Sequence, residues 1–170
     1  MKTITILFIL SIISSHSFAY TKLVSISKSI EIDVNKERVF EIVSNTMNDH
    51  LWRSEVNSME ADGEFAVGTI FTEDAHIGFR KHFITSTQLI ELIEDKKAFY
   101  VTPPNAPFYL SSKREVKTLQ NGGTIFTYTV LFDPKMSRST LGVAVPVKVL
   151  EISYGVIIKT YLKNLKKFLN

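Results

Sequence analysis

Arg114 is the residue of this sequence whose position raises the clearest chemical question. It lies in a segment of alternating apolar and polar residues, and Phe108, Leu110 and Val116 share its parity. Because successive side chains of a strand point to opposite faces, this parity predicts a guanidinium on the buried face of a sheet. A buried charge without a partner costs several kcal/mol. Glu73, a ligand head group or trapped water can serve as that partner; alternatively, a bulge turns Arg114 outward or the residue ends its strand in water.

The sequence carries none of the motifs that mark nucleophilic or phosphate-binding catalysis. It has no cysteine, no Gly-x-Ser-x-Gly segment and no glycine-rich phosphate loop. His76 and His82 are six residues apart in one alternating segment, which along a strand is too far for both to ligate one metal ion. His50 next to Asp49 is either an acid–base pair at a cavity mouth or part of a surface loop. We therefore predict no catalytic residue, no metal and no cofactor.

An antiparallel sheet is predicted by alternating segments that turn dipeptides separate. Asp62-Gly63 and Asn121-Gly122 are the turn signals, and the second is typical of a two-residue hairpin. The side chains predicted to face inward are Ile77, Phe79, Phe83, Phe126, Tyr128, Val130 and Phe132, besides those that share the parity of Arg114. The predicted strands are residues 23–32, 67–73, 77–93, 98–102, 108–117 and 124–132.

Helices are predicted on both sides of these strands in the chain. The apolar residues of segment 39–43 fall on one helical face behind Asn35, whose side chain is suited to cap a helix. Segment 48–56, which contains the only tryptophan, predicts a second short helical turn. In the last part of the chain, apolar residues recur at helical spacing and lysines fall on the opposite side. This pattern predicts one long amphipathic helix that begins near Pro146.

Residues 1–19 have the three parts of a secretory signal. Lys2 precedes an apolar run over 4–13, and Ser17-Phe18-Ala19 places small residues at the two positions that a signal peptidase reads. The apolar run is shorter than the roughly 20 residues that a membrane-spanning helix needs. We predict a signal peptide over residues 1–19, one domain over 20–170, and a periplasmic or secreted mature protein.

Composition narrows the classes of partner. The chain has 20 basic and 17 acidic residues, which is not the basic excess of a nucleic-acid-binding domain. Without cysteine it can form no disulfide and carry no thiol-linked lipid, so an exported fold of this sequence must be held by its core. Composition does not predict the oligomeric state.

Three segments carry a resemblance to a known family. SIEIDVNKERVFEIV at 29–43, LW at 51–52 and VGTIF at 67–71 resemble the START-like (SRPBCC) superfamily, which includes the polyketide cyclase/dehydrase and lipid transport group and Bet v 1-like proteins. LKNLKKFL at 162–169 is similar to the family's final helix. Asn35 stands where many members carry proline, and the export signal also departs from most members.

The resemblance implies an α+β helix-grip fold. In that fold a curved antiparallel β-sheet wraps around a long C-terminal α-helix, two short helices follow the first strand, and a hydrophobic ligand cavity lies between sheet and helix. The matching segments are structural, so they imply the fold and leave the activity open.

The function that fits best is an exported carrier of a hydrophobic small molecule, either a lipid or a polyketide-like compound. Arg114 would orient a polar or anionic head group of this ligand. The other predicted ligand-binding residues supply apolar walls, hydroxyl tips and one carboxylate: Trp52, Phe71, Glu73, Phe83, Tyr100, Phe108, Tyr128, Tyr154, Ile157 and Tyr161.

Two other functions fit the same residues. One is a cyclase or dehydratase in which cavity shape folds the substrate while Arg114, Glu73 and Tyr128 handle protons. The other is a domain whose own aromatic side chains fill its interior and whose surface binds another envelope protein. Ile152 and Val156, on the lysine-bearing side of the last helix, are either ordinary surface residues or part of a face that rests transiently on an anionic membrane.

The signal segment leads to a direct test of export. We expect the mature protein to begin near Tyr20, because Ser17-Phe18-Ala19 follows the apolar run at the spacing of a cleavage site. Intact-mass measurement of protein recovered from the cell envelope or the medium checks this. A species that retains residues 1–19 there would contradict the expectation.

Overall fold

A computed structural model describes residues 22–170, so the predicted signal segment lies outside the described residues. Seven strands, three α-helices and one 3-10 helix follow one another in this part of the chain. In order they are β1 (Val24–Ile32), α1 (Lys36–Ser44), the 3-10 helix (Thr46–Leu51), β2 (Val56–Ala61), β3 (Ile70–Ile77), β4 (Arg80–Ile93), β5 (Lys97–Val101), β6 (Leu110–Thr118), β7 (Thr124–Phe132), α2 (Met136–Leu141) and α3 (Val147–Leu169).

The strands form one antiparallel sheet in the order β1-β7-β6-β5-β4-β3-β2. Each strand from β2 to β7 pairs with its neighbour in the chain, and β1 closes the series by pairing with β7, where Val24 lies opposite Phe132. The register shifts in the β2–β3, β3–β4 and β4–β5 pairs. Such irregularities bend strands and increase their twist, so this half of the sheet is curved.

The helices begin where local sequence allows. The side chain of Asn35 accepts a hydrogen bond from the backbone N–H of Arg38 at 2.9 Å, which caps α1 as predicted. Asn45 accepts from Met47 N and caps the 3-10 helix in the same way. Pro146 precedes the first residue of α3, a position where the missing N–H costs nothing.

The main core lies between the sheet, α1 and α3. Leu150, Ile158, Leu162 and Leu165 of α3 are buried there. A smaller second core lies under β3, β4 and β5, where Phe71 and Tyr100 meet edge to face with ring centroids 5.7 Å apart. The predicted α+β helix-grip fold, with its curved sheet, long last helix and two short helices after β1, is confirmed.

Two elements were not predicted. Strand β2 pairs with β3 at the sheet edge, but its burial pattern has no clean alternation. A strand shows alternating apolar and polar residues only when one of its faces is covered. The sequence of β2 shows no such alternation and therefore does not predict a strand. Helix α2 lies in a Ser- and Thr-rich stretch with only six residues, too few for a helical period to be visible.

The predicted strand 77–93 begins too early, because Ile77 is the last residue of β3 and β4 begins at Arg80. The chain reverses at Gly78 and Phe79, with Gly78 at a φ of +61° that favours glycine. A Cβ on Gly78 would lie 2.6 Å from the carbonyl oxygen of Thr140, so this tip is packed tightly on α2. The inward prediction for Phe79 is wrong, since it is 83% exposed. Alternation does not continue through a turn, and this is why the parity of Phe79 misleads.

Candidate functional site

A cavity of about 560 Å³ lies between the sheet and the helices α2 and α3. Its volume falls in the range of small-molecule sites. One part of its wall is apolar and includes Leu110, Val130, Phe132, Leu150, Ile157 and Ile158. The other part carries charged and hydroxyl groups. The cavity therefore offers an apolar ligand a place for its body and, at one end, polar groups for its head.

The polar end is built around a buried ion pair between Asp49 and Arg114. Arg114 Nη1 donates to Asp49 Oδ1 at 2.7 Å and Nη2 donates to Oδ2 at 2.6 Å. Nη1 also donates to the carbonyl oxygen of Val43 at 2.9 Å. The side chain of Arg114 is 1% exposed and that of Asp49 is 0% exposed. Burial alone would lower the pKa of Arg114, but the carboxylate of Asp49 raises it above its ordinary value.

Local backbone geometry in the 3-10 helix places Asp49. Its carbonyl oxygen accepts hydrogen bonds from the N–H groups of Trp52 and Arg53 at 3.1 and 2.8 Å. This turn brings Arg53 back over Asp49, and Arg53 Nη1 donates to Asp49 Oδ2 at 2.8 Å. One carboxylate thus pairs with two guanidinium groups.

Arg53 extends the cluster to two further carboxylates. It donates to both oxygens of Glu73, at 2.7 and 2.9 Å, and through Nε to Glu55 Oε1 at 2.9 Å. Burial lowers the pKa of Arg53, but the neighbouring groups, of which Glu73 contributes most, together raise it above its ordinary value. Glu73, one of the partners considered for Arg114, is not paired with it: Asp49 takes that place and Glu73 pairs with Arg53.

Aromatic rings enclose the guanidinium of Arg114. Its central carbon lies 5.3 Å from the ring centroid of Tyr100, 5.5 Å from that of Tyr128 and 5.7 Å from that of Trp52. These distances are within the range of cation–π attraction. The hydroxyl of Tyr100 donates to the carbonyl oxygen of Ser44 at 2.5 Å. Rings and carboxylate together replace the water that Arg114 loses on burial.

Three tyrosines of the cavity wall stay protonated over a wide pH range. Burial raises the pKa of Tyr128. Burial and then the charge of Glu55 raise the pKa of Tyr154 to about 12, and the same two causes raise the pKa of Tyr161 further. At neutral pH these side chains offer hydroxyl groups, each able to donate or accept one hydrogen bond, and no negative charge.

The structure places six of the predicted ligand-binding residues on the cavity wall. They are Glu73, Arg114, Tyr128, Tyr154, Ile157 and Tyr161. The other five pack elsewhere. Trp52 lies behind the wall, with its ring edge-on to Tyr128 and Tyr161. Phe83 stacks on Phe108 at 5.8 Å, and Phe71 and Tyr100 belong to the second core.

Sequence reasoning missed Thr46, Asp49, Arg53 and Glu55 as residues of this site. Asp49 had been considered only as a neighbour of His50, whose ring instead hydrogen-bonds the carbonyl oxygen of Met47. One signal in the sequence could have led to this site: a buried guanidinium at Arg114 needs an anionic partner nearby. The sequence carries several carboxylates, however, and spacing alone does not say which of them the fold brings to β6.

Other site types are not found among residues 22–170. No three histidine, cysteine or carboxylate side chains in this part of the chain come together in a way that would hold a metal ion. His76 and His82 lie on different strands, and His82 Nδ1 hydrogen-bonds Asp74 Oδ2 at 2.8 Å. No helix of the described residues is both long and apolar enough to cross a membrane.

Solved structures share this arrangement of sheet and helix. A START superfamily protein from Mycobacterium smegmatis has a TM-score of 0.69 and 16% identity, with 85% of this chain and 96% of that one covered. XoxI from Bacillus cereus has a TM-score of 0.64 and 18% identity, over 85% and 94% of the two chains. A protein from Nitrosospira multiformis has a TM-score of 0.62 and 14% identity, over 86% and 96%.

The chain therefore has the START-like fold that its sequence resembles. No protein-family model matches the sequence, and a search of curated proteins finds no match. At sequence identities of 14 to 18%, the similarity to these solved structures establishes the fold and does not identify a ligand.

The Asp49–Arg114 pair leads to a prediction about stability. Arg114→Met leaves a buried carboxylate with one of its two guanidinium partners, so we expect the free energy of unfolding to fall by about 3 to 5 kcal/mol. Asp49→Leu should cost a similar amount. The double variant should lose clearly less than the two single losses together, with a coupling of at least about 1 kcal/mol. Denaturant unfolding of the four proteins measures this.

The exposed pair Arg38–Glu41, whose atoms lie 2.8 Å apart, is the matched control. The same cycle with alanine there should give a coupling of at most about 0.5 kcal/mol, because solvent screens both charges. Additive losses at Asp49 and Arg114 would contradict the prediction that this pair organises the site.

Tyr100 leads to a prediction about alkaline pH. Burial raises its pKa from 10.0 to about 12. Below pH 10 the folded and unfolded states both keep the phenol proton, so Tyr100 adds no pH dependence. Between about pH 10 and 12 only the unfolded state loses the proton, and the free energy of unfolding falls by up to about 1.4 kcal/mol per pH unit.

Tyr100→Phe isolates this effect from other groups that titrate in the same range. At pH 8 the variant should be less stable by about 1 kcal/mol, since it lacks the hydrogen bond to Ser44. The difference should shrink as the pH rises above 10. Urea midpoints across this range measure it, and a constant difference would show that the buried phenol is not protonated more strongly in the folded state.

Proposed function

We propose that this protein is an exported carrier that holds a hydrophobic small molecule, a lipid or a polyketide-like compound, between its sheet and α3. The observation that carries the proposal is the cavity of about 560 Å³ with an apolar wall and one polar end. Burial of apolar ligand surface there supplies the affinity, at about 25 cal/mol per Å² before the costs of association. The polar end supplies orientation.

The cavity favours a binding function over a domain that is filled by its own side chains. Several aromatic residues that had been expected to line the interior pack against each other instead. Phe83 with Phe108 and Phe71 with Tyr100 are two such pairs. These contacts leave the space beside α3 open, and interiors that have no ligand to hold are normally packed without voids of this size.

The charged groups favour carrier over cyclase or dehydratase. Arg114 and Glu73 were the candidates for proton transfer, and each is held by an opposite charge at 2.9 Å or less. Burial keeps Tyr128 protonated. A general acid or base needs a pKa near the working pH, and a guanidinium and a buried phenol are both far from it.

Export and membrane contact complete the proposal. The signal-like segment 1–19 supports action outside the cytoplasm. Ile152 and Val156 are each 62% exposed on α3, and Lys148 and Lys159 are exposed on the same helix. A helix face with exposed aliphatic and lysine side chains can rest on an anionic membrane, and this supports transient contact during ligand exchange.

Filling the cavity tests the function. Ile157 lines the cavity and is 38% exposed, so Ile157→Trp can enlarge the side chain without disturbing the main core. We expect the affinity for N-phenyl-1-naphthylamine, a neutral fluorophore, to fall about tenfold or more because the added ring occupies ligand space. Fluorescence titration measures it.

Ile152→Trp is the matched control. Ile152 lies on the same helix, is 62% exposed and does not line the cavity. Its variant should bind the fluorophore as the unchanged protein does, and both variants should keep the same circular dichroism spectrum. Unaltered binding by Ile157→Trp, or no saturable binding by the unchanged protein, would show that this cavity is not a ligand site.

A further inference from the structure

The charges at the polar end of the cavity do not balance. Two guanidinium groups, Arg53 and Arg114, face three carboxylates, Asp49, Glu55 and Glu73, which leaves a net charge of −1. All five side chains are at most 16% exposed. Little water is therefore available to solvate the excess negative charge.

The hydrogen bonds locate this excess at Glu55. Both oxygens of Asp49 and both oxygens of Glu73 accept from guanidinium N–H groups. Glu55 Oε1 accepts from Arg53, but Glu55 Oε2 is buried and has no partner among the described residues. A buried carboxylate oxygen without a donor costs more than a neutral group in the same state.

Two further buried polar atoms of the cavity residues also lack partners. The hydroxyl of Thr46, a residue that is 4% exposed and lines the cavity, makes no hydrogen bond. Arg114 Nε is unpaired too, but its side chain is enclosed by three rings and 1% exposed. Glu55, at 13% exposed, is the more accessible of the two charged groups with an open position.

The tyrosines near Glu55 do not cancel its charge. Tyr154 and Tyr161 line the same cavity, and both are close enough to Glu55 for its charge to act on their hydroxyl groups. The hydroxyl of Tyr161 also lies within hydrogen-bonding reach of the Glu55 carboxylate. As protonated phenols they can share hydrogen bonds with a head group, but they carry no positive charge. A cationic head group of a ligand would supply the positive charge that the two guanidinium groups do not.

We propose that the ligand of this cavity is an apolar molecule with a protonated amine as its head group, which pairs with the carboxylate of Glu55. This inference rests on the proposed carrier function and specifies the ligand class. A carboxylate or phosphate head would add negative charge to a buried site that is already negative. An alcohol would satisfy the open oxygen but leave the charge, whereas an ammonium group does both through a charge-assisted hydrogen bond.

The proposal changes the role expected of Arg114. From its position in the strand, Arg114 was expected to hold an anionic head. Asp49 already occupies both terminal nitrogens of this guanidinium, so Arg114 acts as a support that holds Asp49 and, through it, Arg53. Glu55 becomes the residue that selects the head group.

Matched ligands with one chain length and different head groups test this. Decylamine, decan-1-ol and decanoate are titrated near pH 7 against the purified protein with N-phenyl-1-naphthylamine bound. We expect decylamine to displace the fluorophore at a concentration about tenfold lower than decanoate, with decan-1-ol between them. Decanoate that competes as well as decylamine would overturn the proposal.

Glu55→Gln removes the charge while keeping the shape of the side chain. In this variant decylamine should lose its advantage over decan-1-ol, because the amide offers the ammonium group no negative charge. Glu60→Gln is the control, because Glu60 is exposed on β2, five residues after Glu55, and does not line the cavity. It makes the same change in total charge and should keep the preference for the amine.

The outcomes separate this inference from the proposed function. If the fluorophore binds and all three ligands displace it equally, the cavity binds hydrophobic molecules without selecting an amine. If the preference for decylamine persists in Glu55→Gln, Glu55 is not its acceptor. If the fluorophore does not bind at all, the carrier function itself is wrong. Should Glu55→Gln fail to fold, the ranking of the three ligands on the unchanged protein still decides.

Discussion

The carboxylate of Asp49 joins parts of the chain that are far apart in sequence. It lies in the 3-10 helix, pairs with Arg114 in the middle of β6, and shares one oxygen with Arg53, which in turn reaches Glu73 on β3. Because both members of the Asp49–Arg114 pair are buried, separating them would leave two charges without water. The 3-10 helix is therefore tied to the sheet, and the polar end of the cavity has one arrangement.

This constraint also shapes the cavity. The ion cluster occupies one end of the space between sheet and α3, and the tyrosines 128, 154 and 161 of its wall keep their phenol protons. The side chains of the ion cluster cannot move into the apolar part of the cavity without losing their ion-pair partners. The apolar part of the wall can stay open beside them. In our proposal, the excess of one carboxylate over the two guanidinium groups is what selects a cationic head group.

Local patterns predicted most of the elements but few of the contacts. Alternation correctly placed Arg114 on the buried face, and the capping side chain of Asn35 correctly marked the start of α1. Alternation failed at Phe79, where a turn at Gly78 interrupts the strand, and it carried no signal for the edge strand β2. In each case the error lies where the chain turns or where neither face of a strand is fully covered.

The sequence by itself determined the antiparallel strands and the long last helix, because these depend on periodicities of two and 3.6 residues that neighbouring side chains display. It placed Arg114 in register with buried residues but left two outward arrangements of its side chain open. Only the tertiary structure decided that Asp49 and not Glu73 meets Arg114, that Glu55 keeps an open oxygen, and which aromatic residues border the cavity. Those outcomes depend on contacts between residues far apart in the chain, which for Asp49 and Arg114 are 65 positions apart. Such contacts are set by the curvature of the sheet and by the turn of the 3-10 helix, and no local pattern records either.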